Sequence, residues 1–124
     1  MATVLLVDDE NINHIIAKRI LREESVLQSV FSGEDALKYL REGELPDLIL
    51  MDIIMPGMNG LETYRAIKEE AAWKDIPLIF LTAKDDKETE AECLAEGARG
   101  FVSKPFFPEE LLGMVRGATG SKDA

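Results

Sequence analysis

The spacing of hydrophobic positions changes repeatedly along the chain, and this alternation predicts five strands separated by helices. Runs that are apolar at nearly every position predict strands, whereas stretches with apolar residues three or four positions apart predict amphipathic helices. The predicted strands cover residues 3–7, 26–30, 48–51, 77–81 and 100–103. Because near-continuous apolar strands are typical of parallel sheets buried on both faces, the pattern predicts an α/β fold with helices on both sides of the sheet.

The intervening stretches carry signals for the starts and ends of helices. Asn11 is predicted to cap a first helix whose core face carries Ile12, Ile16 and Ile20 at four-residue steps. His14, the only histidine, is expected near the solvent side of this helix, as an ordinary helix residue without phosphate or metal chemistry. The later helices are marked by a capping serine, two terminal glycines and a first-turn proline: Ser32, Gly43, Gly97 and Pro108.

Composition limits the organisation and the partners of the protein. A length of 124 residues with 46% hydrophobic content predicts one domain, expected over residues 1–116, with 117–124 as a flexible tail or the start of a linker. A formal charge of −10 argues against direct binding of nucleic acid. No apolar run approaches the roughly 20 residues of a membrane span, and the single Cys93, expected half-buried, fits a cytoplasmic protein without contact to a membrane.

Polar residues that would be unusual inside a buried strand follow the predicted strands directly. Asp8 and Asp9 follow the first strand, Asp52 the third, Thr82 the fourth and Lys104 the fifth. Ligands of open parallel sheets bind beyond the carboxyl ends of the strands, so Asp52 is predicted at the mouth of the core. Converging carboxylates repel one another, which raises some of their pKa values and requires a compensating cation, for which Mg²⁺ is the expected choice. A carboxylate beside a metal ion, a lysine and a hydroxyl is equipped to receive a phosphoryl group.

Four motifs, in this order and at these separations, resemble the receiver domain of two-component response regulators. They are LLVDDE, LILMDIIMPGMNG, PLIFLTA and GFVSKPF, and the resemblance covers about residues 3 to 116. It implies a doubly wound, flavodoxin-like (α/β)5 fold with a five-stranded parallel sheet in the order 2-1-3-4-5. It also implies that the protein accepts a phosphoryl group and then changes its protein-binding surface.

The resemblance assigns roles to the residues at the strand ends. Asp52 matches the phosphoacceptor, and Asp8 and Asp9 match the acidic pair that holds Mg²⁺ together with it. Thr82 matches the hydroxyl that contacts the phosphoryl group, and Lys104 matches the lysine that neutralises it. The resemblance therefore does not imply a conventional enzyme, since the protein would catalyse only its own phosphorylation and its own slow dephosphorylation.

Three further positions are assigned by the same resemblance. The backbone carbonyl of Ile54 is expected to complete the metal ligands, Phe101 occupies the place of the switching aromatic, and Pro105 follows the lysine, where the family often has a cis peptide bond. Ile54 and Lys84 depart from the polar residues that help many relatives to position a hydrolytic water. The residues therefore predict slow loss of the phosphate.

The resemblance implies a histidine kinase or phosphotransfer domain as the donor, and as the recipient either a downstream protein or an output domain outside this chain. A monomer or weak dimer is expected. Two alternatives remain open: a receiver fragment of a larger response regulator or hybrid kinase, and a slow aspartyl-phosphate hydrolase. Isoleucine at position 54 disfavours a dedicated phosphohydrolase, which needs a second acid there, and the acidic loop after the first strand disfavours a flavin carrier.

Overall fold

Five parallel strands form one sheet, and five helices connect them. The computed structural model describes residues 1–83 and 87–120. The strands are β1 (Ala2–Val7), β2 (Ser25–Val30), β3 (Leu48–Asp52), β4 (Leu78–Ala83) and β5 (Gly100–Lys104). The helices are α1 (Asn11–Leu21), α2 (Gly33–Glu42), α3 (Gly60–Lys68), α4 (Lys87–Ala95) and α5 (Pro108–Thr119). The strand order β2-β1-β3-β4-β5 confirms the predicted doubly wound topology.

The core lies on both faces of the sheet, as the continuous apolar strands predicted. In β1, Leu5 and Val7 contribute to the cluster beneath α2 and α3, whereas Val4 and Leu6 contribute to the cluster beneath α1 and α5. All five residues of β3 are buried. Each large apolar side chain removed from water contributes about 1.5–3 kcal/mol, so this central strand is strongly held.

The strands continue further at their carboxyl ends than the sequence pattern indicated. Asp52 and Lys104 are the last residues of β3 and β5, and Thr82 lies inside β4. The predicted strands stopped just before Asp52, Thr82 and Lys104, but the backbone pairing continues: Asp52 pairs with Leu81, and Thr82 pairs with Ser103. The sheet therefore carries the side chains of Asp52, Thr82 and Lys104, whereas Asp8 and Asp9 lie in the loop directly after β1.

Helix α1 corrects two predictions. Asn11 is its first residue rather than its cap, because Glu10 occupies the cap position and makes no side-chain capping bond. The buried face is also different, since Ile12 is 57% exposed. Its buried residues are Asn13, His14, Ala17 and Leu21. The helix turns the polar side chains of Asn13 and His14 inward, towards Asp8.

The other helix signals behave largely as predicted. The Ser32 hydroxyl accepts a hydrogen bond from the Asp35 N–H, Gly97 adopts a positive φ of 100° after α4, and Pro108 begins α5. Cys93 is fully buried rather than half-buried, because α4 directs it into the core beneath α2 and α3. Helix α5 continues to Thr119, past the start of the tail expected at residue 117.

Candidate functional site

Gly60 allows helix α3 to begin directly against the end of β3. Its N–H donates to the Ile53 carbonyl at 2.7 Å. A Cβ atom at this position would lie 2.2 Å from the backbone oxygen of Asp52. The Asn59 side chain caps α3 by accepting the Glu62 N–H at 2.8 Å. Only glycine fits this close approach, which determines where the loop after Asp52 leaves the sheet.

Three carboxylates converge at the carboxyl end of the sheet, as the sequence predicted. Oxygen atoms of Asp8, Asp9 and Asp52 all lie within 4.8 Å of one another. Asp8 is fully buried and Asp52 is only 4% exposed, whereas Asp9 is exposed. The sequence analysis predicted Asp52 at the mouth of the core, but its side chain is almost completely buried. Three negative charges at this separation repel strongly, because a buried site has a low effective dielectric constant.

Lys104 supplies the positive charge at the site. Its Nζ donates to Oδ1 of Asp52 at 2.9 Å and lies 3.6 Å from Oδ2 of Asp8. Burial acts to lower the pKa of Lys104, but the hydrogen bond and charge of Asp52, with the charge of Asp8, raise it overall. The ammonium ion is thus held in its charged form between the two buried carboxylates.

One ammonium does not balance the charge at Asp52. Desolvation raises the pKa of Asp52 from 3.8 to about 6, the hydrogen bond and charge of Lys104 oppose this rise, and the charges of Asp8 and Asp9 add to it. The environment therefore penalises the ionised form, so that a further cation at the site would relieve a repulsion that already exists.

These three carboxylates suit a hard divalent cation. Mg²⁺ prefers oxygen ligands, and it is usually held by one or two carboxylates while it keeps several waters. Asp52, exposed Asp9 and Ile54 line a cleft of about 300 Å³, which leaves room for waters and a phosphoryl group. The described residues thus fit Mg²⁺. The Ile54 side chain is 73% exposed, and the role of its carbonyl as a ligand stays a prediction.

Of the three predicted switch residues, Thr82 lies at the cleft itself. Thr82 lines it, is 3% exposed, and donates its hydroxyl hydrogen to Oε2 of Glu90 on α4 at 3.3 Å. Phe101 is half-buried and stacks on Phe80 with ring centroids 6.4 Å apart. The peptide bond between Lys104 and Pro105 is cis. Lys84, the other position predicted to affect hydrolysis, lies outside the described residues.

Two residues next to Asp8 were missed as parts of the site. His14 is buried, not near solvent as predicted, and it contacts the backbone oxygen of Asp8 through Nε2 at 2.8 Å. Asn13 donates from Nδ2 to Oδ2 of Asp8 at 3.0 Å. The available signal in the sequence was this adjacent polar pair in an isoleucine-rich helix. The spacing of residues does not tell, however, which side of the helix faces the sheet, and so it does not show that the pair points inward.

Known proteins match this chain in sequence over nearly its whole length. The family model described as "Response regulator receiver domain" matches residues 4–116. Response regulator UvrY of Escherichia coli K12 is 36% identical over 119 residues, which cover 94% of this chain and 53% of that protein. DNA-binding response regulator MtrA of Mycolicibacterium smegmatis is 37% identical over 114 residues, 91% of this chain and 48% of that protein. The chain thus spans about half the length of these curated relatives.

Solved structures of similar proteins share the fold over nearly the whole chain. Chemotaxis protein CheY4 of Vibrio cholerae superposes with a TM-score of 0.86 at 31% identity, covering 95% of this chain and 98% of that chain. The signal receiver domain of a signal transduction histidine kinase from Syntrophus aciditrophicus gives a TM-score of 0.87 at 30% identity, covering 98% and 92%. Within residues 1–83 and 87–120, none of the helices combines the length and the apolar character that a membrane span requires.

Proposed function

The chain belongs to the receiver-domain family of response regulators, and from this premise we propose that it accepts a phosphoryl group on Asp52 with Mg²⁺ bound beside it. The observation that carries the proposal is the convergence of three carboxylates and one lysine at a cleft that Thr82 also lines. The donor is a phosphohistidine of a histidine kinase or a phosphotransfer domain, and the protein acts in the cytoplasm.

In the proposed transfer, a carboxylate oxygen of Asp52 attacks the phosphorus atom of the phosphohistidine. The P–N bond breaks, its electron pair returns to the imidazole nitrogen, and an aspartyl phosphate forms. Burial raises the pKa of Asp52 to about 6, so its nucleophilic ionised form still predominates at neutral pH. Bound Mg²⁺ would neutralise charge on the phosphoryl oxygens. Lys104, already 2.9 Å from Oδ1 of Asp52, is close enough to stabilise the transferred group.

The proposed signal is a rearrangement at Thr82. Its hydroxyl now donates to Glu90 on α4, and a phosphoryl group on Asp52 would offer a stronger acceptor in the same cleft. A shift of Thr82 towards Asp52 would change the space beside Phe101 and the position of α4. Phosphorylation would then bias the surface formed by α4, β5 and α5 towards a downstream protein target or an output domain.

Phosphorylation can be tested without the cognate kinase, because the acceptor and its stabilising charges belong to this chain. Incubation with a small phosphodonor and Mg²⁺ is expected to add one phosphoryl group, which intact-mass spectrometry detects directly. Asp52→Asn and removal of Mg²⁺ by a chelator should each abolish the gain, whereas the control Asp47→Asn, at the opposite end of β3, should not. Equal phosphorylation of Asp52→Asn and the wild type would contradict the proposal.

We also expect slow hydrolysis of the phosphoryl group. Ile54 is exposed at the cleft and offers no hydrogen bond to an attacking water, and a lysine at position 84 cannot accept one. The double variant Ile54→Asn, Lys84→Glu should lose phosphate about tenfold faster in excess Mg²⁺, which corresponds to ~1.4 kcal/mol of barrier. Decay is followed by mass spectrometry after the phosphodonor is removed, with Cys93→Ser as control. Unchanged decay of the double variant would contradict the water-access argument alone.

A further inference from the structure

The first turn of α1 directs two buried polar side chains at Asp8. Asn13 is 8% exposed and His14 is 4% exposed, although both could have faced solvent on a surface helix. Burying a polar group costs free energy unless it forms hydrogen bonds. For Asn13 the buried partner is Oδ2 of Asp8, and for His14 it is the backbone oxygen of Asp8. Contact with Asp8 therefore compensates a burial that hydrophobic packing alone would not favour.

Asp8 is held at several atoms, and Asn13 occupies the side of its carboxylate that faces α1. Oδ1 accepts the Glu10 N–H at 2.9 Å, while Oδ2 accepts Asn13 Nδ2 at 3.0 Å. The Lys104 ammonium lies 3.6 Å from the same Oδ2 and attracts it. The Asn13 amide and the Lys104 ammonium thus compete for the same oxygen of Asp8. Without the Asn13 amide, Asp8 would rotate towards Lys104 and draw that lysine away from Asp52.

His14 fixes the backbone at the end of β1. Because a carbonyl oxygen can only accept, the hydrogen of the bond to Asp8 resides on Nε2. Nδ1 lies 2.8 Å from the hydroxyl oxygen of Ser29 on β2, and the ring packs on Phe31 with centroids 4.2 Å apart. The imidazole therefore has three contacts, to Asp8, Ser29 and Phe31. Through them it connects α1 and β2 to the backbone of Asp8.

We propose that Asn13 and His14 are positioning residues for the metal site, with Asn13 orienting the Asp8 carboxylate and His14 fixing the backbone that carries it. The inference rests on the proposed function, because it concerns the Mg²⁺ that supports phosphorylation. Hydrogen bonds to carboxylates around a metal site typically change its affinity by 10–100-fold when they are removed, although they do not touch the ion. Packing of α1 against β1 is thereby coupled to Mg²⁺ affinity.

The decisive variant is Asn13→Leu, which replaces the amide by an apolar side chain of similar size and so removes the donor to Asp8. Isothermal titration of the metal-free protein with Mg²⁺ is expected to show a dissociation constant about tenfold higher than in the wild type. Asn13→Ala, which leaves room for a water molecule, should show a smaller increase and provides a second variant in case Asn13→Leu folds poorly. Thermal melts without metal establish that each variant is folded.

A matched control lies on the same helix. Ile16 is half-buried and packs against the cluster beneath α1 and α5. Ile16→Ala should lower the melting temperature of the metal-free protein but change the Mg²⁺ dissociation constant by less than about twofold. If it weakens Mg²⁺ binding as much as Asn13→Leu does, the effect is one of general helix packing and the proposal is overturned.

His14 is tested by two replacements that both remove its imidazole ring. Glutamine can place an amide N–H near the position of Nε2, whereas leucine cannot donate. His14→Gln is expected to keep Mg²⁺ affinity within about threefold of the wild type, and His14→Leu to weaken it about tenfold. Equal affinities of these two variants would overturn the assignment of His14. If the wild type itself bound no Mg²⁺, the proposed function would fail too; wild-type affinity in Asn13→Leu overturns this inference alone.

Discussion

Lys104→Met is expected to lower the free energy of unfolding of the metal-free protein by about 3 kcal/mol, because it leaves buried carboxylates without their counter-ion. The ammonium donates to Asp52 at 2.9 Å and lies 3.6 Å from Asp8, which is fully buried. Methionine keeps most of the aliphatic stem, so the change removes the charge and little of the packing. Chemical denaturation at pH 7.5 in the presence of a chelator measures the difference.

Two comparisons make this result specific to the site. Lys87→Met removes an 82% exposed lysine that lies 3.9 Å from a carboxylate oxygen of Glu90, and exposed pairs of this kind contribute at most about 1 kcal/mol. Saturating Mg²⁺ should recover part of the stability that Lys104→Met loses, because the ion replaces the missing positive charge. An equal loss in the two lysine variants would contradict this account of the charge balance.

The fold could be predicted from the sequence because the buried strands and the amphipathic helices have different spacings of apolar residues. Strands buried on both faces appear as continuous apolar runs, such as residues 48–51, and parallel strands place their carboxyl ends together. That geometry alone was enough to bring Asp52 and Lys104 to one site. The order of the strands did not follow from the pattern, and it came from the resemblance to receiver domains.

The orientation of α1 and the depth of the site could not be predicted. Isoleucines at four-residue steps define an apolar stripe, but hydrogen bonds to Asp8 turned Asn13 and His14 inward instead, leaving Ile12 exposed. These bonds span only five and six residues, but they run from α1 to the loop after β1, so the apolar periodicity of the helix does not predict them. The depth of Asp52 was missed for a different reason. A charged residue is usually taken to lie outside a buried strand, whereas Asp52 belongs to β3 and is only 4% exposed.

Asp52→Asn is expected to have the opposite effect to Lys104→Met and to make the metal-free protein more stable. Desolvation, with smaller contributions from Asp8 and Asp9, raises the pKa of Asp52 from 3.8 to about 6 even though Lys104 opposes the rise. The folded protein therefore favours the protonated carboxyl group, which asparagine imitates without a charge. A rise of that size corresponds to about 2–3 kcal/mol between the two protonation states.

The pH dependence gives this prediction its sign. An acid with a raised pKa in the folded state binds its proton more tightly there than in the unfolded chain. Its stabilising contribution is complete below pH 3.8 and is lost as the pH rises through about 6. The advantage of Asp52→Asn should consequently be full above that range, about 2–3 kcal/mol at pH 7.5, and should shrink towards pH 4.

Denaturation curves of both proteins between pH 4 and pH 8, without metal, measure this difference directly. Asp47→Asn is the matched control, since Asp47 lies at the opposite end of β3, where its Oδ2 accepts the Thr3 N–H at 2.8 Å. Mg²⁺ should stabilise the wild type more than Asp52→Asn and so reduce the gap between them, because the ion relieves the repulsion that the substitution has already removed. If Asp52→Asn were less stable than the wild type at pH 7.5, the ion pair with Lys104 would outweigh the desolvation of Asp52. The free energy available for recruiting a cation to this site would then be correspondingly small.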